Sequence, residues 1–143
     1  AYCNRDLELS GALPYIDGLN GATRRKKFKS YLVAINGGAT VTITGAIPAG
    51  ALDLIVVGRV TTIIAGSDGV ASWFIGDTDT DHWGAALALA AGTTFGPANY
   101  TAQPTRLYTA AADIVISGTA GKLIESGQVR VEMWFELFTP PTS

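Results

Sequence analysis

The stretch Gly45–Val60, Gly-Ala-Ile-Pro-Ala-Gly-Ala-Leu-Asp-Leu-Ile-Val-Val-Gly-Arg-Val, limits the possible folds more than any other part of this sequence. It joins a β-type run to the most hydrophobic strand candidate in the chain through a Pro/Gly turn. Pro48 has no amide hydrogen to donate, so no central strand runs through it. Just upstream, Thr40–Thr44 alternates with period two, which predicts Val41 and Ile43 facing inward and Thr40, Thr42 and Thr44 facing outward. Downstream, Leu52–Ile64 is so continuously apolar that it reads as a central strand covered on both faces. Gly58 interrupts that strand and marks a bulge or bend, a device by which a strand passes from one sheet to another.

The rest of the chain has the same character. Ser30–Asn36 reads as a strand ending at Gly37-Gly38, and Gly66-Ser67-Asp68-Gly69 is a turn before a strand over Val70–Ile75. Residues 76–104 are irregular; the Ala/Leu-rich piece Ala85–Ala91 reads as a short helix stopped by Gly92. Thr105–Thr109 and Ala112–Ser117 read as strands around a turn. Gln128–Phe138 alternates cleanly, with Val129, Val131, Met133, Phe135 and Leu137 on one face and Arg130, Glu132, Trp134, Glu136 and Phe138 on the other. The second face is charged, yet its aromatics imply partial cover. Seven or eight short strands without a long helix predict an all-β fold: an antiparallel β-sandwich, jelly-roll-like, over residues 30–143. An extended basic N-terminal arm, residues 1–29, precedes it.

Charge separates those two parts. Residues 1–29 carry six Lys/Arg against three acids, and residues 30–143 carry four against nine, so an arm of +3 precedes a body of −5. The arm also holds Leu7, Leu9, Leu13, Tyr15, Ile16 and Leu19 among Gly and Pro breaks, and such residues need a partner. The basic run Arg24, Arg25, Lys26, Lys27 and Lys29 is therefore expected to contact an acidic surface, on its own body or a neighbouring subunit. Nucleic acid is not the expected partner, because no stacking aromatics are interleaved with the charges and the body is acidic. Charged residues make up only 15% of the chain, against about 25% in average soluble domains. So little charge implies surface covered by other subunits, with a monomer in a Ser/Thr/Ala-rich skin as the alternative. No window is long and apolar enough to span a membrane, and no signal pattern opens the sequence. The lone Cys3 has no intrachain disulfide partner. Ala1 fits removal of an initiator Met, and on that reading the chain is a short complete gene product.

Candidate chemistry is sparse. Asp77-Thr78-Asp79-Thr80-Asp81 resembles the start of a Ca²⁺ loop, but His82 stands where the loop needs Gly, and Ala88 where it needs a bidentate Glu. No metal or other cofactor is expected. His82 is the only histidine, no Ser lies in a Gly-x-Ser-x-Gly elbow, and neither a P-loop nor a dinucleotide fingerprint occurs, so no enzyme and no catalytic residues are expected. Trp83, in a Gly-rich loop beside His82, Asp79 and Asp81, is the aromatic expected at the surface, where these four residues would offer a glycan-binding platform.

A further pointer lies in the order of short motifs: Ala46-Ile47-Pro48-Ala49-Gly50-Ala51, Gly58-Arg59-Val60, Phe74-Ile75-Gly76-Asp77, Trp83-Gly84, Ala91-Gly92-Thr93-Thr94 and Ser126-Gly127-Gln128-Val129-Arg130-Val131. In this order, over roughly residues 38–135, the chain resembles the carboxy-terminal β-domains of structural proteins of tailed bacteriophages and gene-transfer agents. The resemblance implies a non-enzymatic virion protein, oligomeric and exposed on the particle surface, made in the host cytoplasm. The absence of a long repetitive shaft departs from the fibre pattern. It favours a capsid decoration (cement) or head-fibre protein, with a homotrimer as the favoured assembly and other virion proteins, major capsid or tail, as partners. A tail-fibre receptor-binding module recognising host-surface glycan is the alternative.

Overall fold

A computed structural model describes residues 15–103 and 107–142. Within them the chain forms nine strands: β1 Tyr15–Asp17, β2 Thr23–Ala34, β3 Thr40–Ile47, β4 Leu52–Ala65, β5 Trp73–Gly76, β6 Gly84–Leu87, β7 Thr94–Phe95, β8 Ala112–Gly118 and β9 Ser126–Thr139. One sheet runs β1-β2-β9-β4-β7 and the other β3-β8-β5-β6, with every pairing antiparallel. Strands pair symmetrically about the β5–β6 turn: β5 with β6, β4 with β7, β3 with β8, β2 with β9. Strands β2 to β5 alternate between the sheets. A folded ribbon wound in this way is a jelly roll, so the all-β sandwich expected from the alternating strands is the fold.

The inner faces make one core. Ile47, Leu54, Val56, Val60, Ile64, Trp73, Ile75, Ile114, Ile116, Val129, Val131 and Met133 are fully buried in it. Trp73 meets the Phe95 ring edge-on at 5.7 Å and 83°, joining β5 of one sheet to β7 of the other. Along β9, Val129, Val131, Met133 and Phe135 are buried and Leu137 packs against them, as its alternation predicts. Val41 and Ile43 likewise turn to the core while Thr40, Thr42 and Thr44 are exposed.

The Gly45–Val60 stretch is the corner between the sheets, though its glycines act differently from expectation. The register of β3 on β8 shifts between Ile43 and Ile47, where Gly45 takes φ +64° and donates its amide to Asp113 Oδ1 at 2.7 Å. This irregularity lies in β3, and it brings Ala46 and Ile47 together into the core. Through Gly58 the pairing of β4 is regular, and β4 stays in one sheet. Gly58 is needed for close approach: a Cβ there would run into the carbonyl oxygen of Arg130 and lie 2.6 Å from a Phe95 ring carbon.

Other expectations are corrected. β4 is central but covered on one face only, because its sheet packs one side against β3-β8-β5-β6; Ile55 and Ile63 on its other side are exposed. Residues 85–87, expected to begin a short helix, lie in strand β6, Gly84–Leu87. Pairing with β5, a bond from Trp73 Nε1 to Ala88 O at 2.9 Å and one from Ile64 N to Leu89 O at 3.0 Å hold this segment extended. Seven residues of Ala/Leu propensity do not outweigh that pairing. The first long strand begins at Thr23, so the division expected between an arm ending at residue 29 and a sandwich beginning at 30 falls inside β2. Arm residues 1–14 lie outside the described residues, as do residues 105 and 106 of the strand expected over Thr105–Thr109; beyond them Leu107 makes a single bridge to Leu52.

Replacing Gly58 with Ala should cost about 1–3 kcal/mol through forced repacking of β9 and Phe95. Chemical denaturation of the variant against wild type checks this; an unchanged midpoint would contradict the close approach.

Candidate functional site: the basic strand and the acidic loop

The basic run lies on β2, and the pleat of a strand divides it. Arg24 and Lys26 pair across to Phe138 and Glu136 on the outer face of the sheet, whereas Arg25, Lys27 and Lys29 pair across to Leu137, Phe135 and Met133, on the inner-facing side. The five charges therefore form no single patch. Arg24 is bound to Glu136 through Nε at 3.1 Å and Nη2 at 2.9 Å, and its guanidinium lies 5.8 Å from the centroid of Phe138. Lys29 donates to the carbonyl of Ala46 at 3.2 Å, with its ammonium 6.0 Å from the Phe135 ring centroid, so it ties β2 to β3. Lys26 and Lys27 are exposed and border a shallow recess of about 250 Å³ with Asp53, Trp134, Phe135 and Glu136. β2 pairs with β1 only over Thr23–Arg25, so among the described residues its edge beyond Arg25 has no strand beside it. Lysines on an open edge discourage unspecific strand pairing, which is a structural use of Lys26 and Lys27 alongside any partner contact.

The acidic loop is organised inward. Asp77 is buried, accepting from Tyr108 Oη at 2.6 Å and from the Asp79 amide at 3.0 Å, with His82 Nδ1 3.3 Å from both its oxygens. His82 Nε2 meets the carbonyl of Gln103 at 3.2 Å, so both ring nitrogens are engaged. Trp83 stacks on His82 with centroids 5.3 Å apart at 20° and is only 1% exposed. The expected glycan platform is thereby corrected: Trp83 and His82 are interior, and His82 is held there by Asp77. Asp79 is exposed and Asp81 is half-buried; the Asp81 carboxyl, hydrogen-bonded to Asp79, pushes the Asp79 carboxyl up from its usual range. Among the described residues no three His, Cys, Asp or Glu side chains converge in a metal-holding group.

Further along, Tyr100 Oη donates to Val56 O at 2.6 Å and accepts from Val56 N at 2.8 Å. Val60 exchanges bonds with Thr93 and Gly92 at 2.8 Å each. The irregular segment thus completes the edge of β4 that the two-residue β7 leaves open. Tyr100 and Tyr108 were missed as organising residues because nothing local to either names a partner 44 or 31 positions away.

Burial opposes the charge on Asp77, yet the Tyr108 hydroxyl, the Asp79 amide and the His82 ring together hold its carboxyl below the usual carboxylate range. A carboxyl depressed by folding adds stability above its ordinary pKa and loses it as pH falls through the lower folded value. Wild type should therefore lose stability below about pH 4 more steeply than Asp77→Asn. Tyr108→Phe should cost about 1–3 kcal/mol at neutral pH by removing a bond to a buried carboxylate. Thermal melts across pH, read by circular dichroism, check both.

No protein-family model matches this sequence, and no curated protein sequence matches it either. Among solved structures the chain is similar to one described as "Cyanophage Pam1 capsid asymmetric unit", with a TM-score of 0.53 and 18% sequence identity, over 85% of this chain and 89% of that one. At that identity the likeness establishes a shared fold, the jelly roll laid out above.

Proposed function

We propose that this chain is a non-enzymatic structural protein of a bacteriophage virion, of the capsid decoration (cement) or head-fibre type, carried on the particle surface. The observation that carries this reading is the likeness to a chain of a cyanophage capsid unit, which takes in most of both chains. A jelly roll supports the role because it buries one closed core and leaves broad sheet faces and open edges for neighbours. Low charge content and the apolar outer face of the β2-β9-β4 sheet favour a protein that works in contact with others.

In this reading the subunit associates with its own copies and with other virion proteins. Residues 1–14 together with exposed Lys26 and Lys27 reach an acidic capsid or neighbouring surface. Three-fold clustering was the expectation from the sequence; nothing in the described residues specifies three copies. The tail-fibre alternative, a module recognising host glycan, loses its main support because Trp83 faces the core.

The test is binding to particles. Phage capsids assembled without this protein should take it up and become more resistant to heat or to chelation of divalent ions. Removing residues 1–14, or introducing Lys26→Glu with Lys27→Glu, should lower occupancy about tenfold or more without unfolding the sandwich. Undiminished occupancy in both variants would reject the role given to the basic strand and arm, and no uptake by wild type would reject the virion reading.

A further inference from the structure

For most of its length β2 is paired on one edge only. β9 takes the backbone groups of its odd-numbered residues; the ladder runs on past the strand to a bond from Ile35 N to Gly127 O at 3.0 Å. The even-numbered residues of β2 therefore point amide and carbonyl to the other edge. There β1 covers Thr23–Arg25, and Gly18 N donates to Ala22 O at 2.6 Å. From Lys26 to Ala34 no described strand lies beside that edge. The side chains show the same gap. Val129, Val131 and Met133 on β9 are fully buried, whereas Tyr31 and Val33 on β2 are only half-buried. So are Val41 and Ile43 on β3, the edge of the second sheet to which Lys29 crosses. Along this side the two sheets leave an apolar seam partly open.

The amino-terminal sequence has the pattern that would close it. In Asp6-Leu7-Glu8-Leu9-Ser10-Gly11-Ala12-Leu13, leucines recur at odd positions with Glu8, Ser10 and Ala12 between them. In the register that β1 sets on β2, Leu9 stands opposite Tyr31 and Leu7 opposite Val33, on the inward side. Gly11 then falls opposite Lys29 and leaves room for the lysine to reach Ala46. Charge agrees: this segment holds two acids and no base, and Lys26–Ala34 holds three lysines and no acid. Its own subunit is the wrong place for it, however. Continued along its own β2, β1 would bring Pro14 opposite Lys26, at a position whose amide must donate to the Lys26 carbonyl, and proline has no amide hydrogen. A bulge that skipped Pro14 would shift the alternation by one and turn the leucines outward.

We infer that the strand completing β2 is residues 6–13 of a second copy of this chain, added antiparallel beside Lys27–Ala34, with Pro14 the point at which each chain leaves its own sandwich. Main-chain bonds to the even-numbered residues of β2 supply affinity, and the alternate leucines supply specificity. Exchange of an identical element between copies is a low-cost route to association. The inference deepens the proposed role by naming the neighbouring surface that the arm reaches, and it needs no particle.

Cysteine pairs read this register directly. Odd-numbered pairs are the non-hydrogen-bonded ones, with Cα atoms about 4.5 Å apart, within reach of a disulfide. In a Cys3→Ser background, Leu9→Cys with Tyr31→Cys should link chains into covalent oligomers on mild oxidation, read on a non-reducing denaturing gel. Leu7→Cys with Val33→Cys repeats the test at the next pair should Tyr31→Cys weaken the fold. Glu8→Cys with Tyr31→Cys, on opposite faces, should link at least about tenfold less. Sedimentation of wild type over a concentration series should show self-association, and Leu7→Asp with Leu9→Asp should raise its dissociation constant at least about tenfold with circular dichroism unchanged. A disulfide closed within one chain would put the arm on its own subunit and overturn the inference. So would a monomeric wild type, absence of linkage at both cysteine pairs, or association that survives the two aspartates. All of this is measured on the isolated protein, so failure to bind capsids would reject the virion reading and leave the exchange standing.

Discussion

The pairing of β9 between β2 and β4 is the interaction on which the rest of this structure depends. The last strand is hydrogen-bonded along both edges, to β2 over twelve matched positions and to β4 through three shifts of register. Its inward side chains form the floor of the core, and its outward ones form the middle of the exposed face. Nothing nearby in sequence holds it there. The chain must bring its carboxy-terminal strand back beside a strand begun a hundred residues earlier, so the closing pair carries a large loop entropy and is expected to form late and slowly.

That central position links scaffold to function. A jelly roll satisfies its interior with two inner faces and has no use for the outer ones, so outward positions are free to carry assembly chemistry. On β9 these are Arg130, Glu132, Trp134, Glu136 and Phe138, alternating one for one with the core residues. A subunit of this kind needs no pocket. Its outer sheet face alternates apolar and charged rows, and its edges are guarded by lysines and by side chains such as Tyr100 that occupy backbone groups.

The irregular segment before β8 has a role opposite to the one its composition suggests. Acids, a histidine and a tryptophan among glycines look like a displayed binding loop. Asp77 turns inward instead, gathers the Tyr108 hydroxyl and the His82 ring, and brings Trp83 into the core with them. A buried carboxylate needs several donors, and the fold supplies two from within the loop and a third, Tyr108, from 31 positions along the chain. The loop is a clasp that seals one side of the sandwich, which leaves the flat faces and edges as the surfaces available to partners.

By itself the sequence determined the class of fold, its inward residues on β3 and β9, and the Ile-Pro-Ala-Gly corner, because period-two alternation and turn residues act over a few positions. It also located the concentration of positive charge. What only the tertiary structure decided was which strands lie side by side. Register divided the basic run between two faces of β2, left Ile55 and Ile63 bare on a strand whose composition promised cover, turned an Ala/Leu segment into β6, and placed Trp83 inside. These depend on partners outside the local window, from β5 for β6 to β9 for β2, and the free energy of pairing and burial there exceeds the local preferences that a sequence displays.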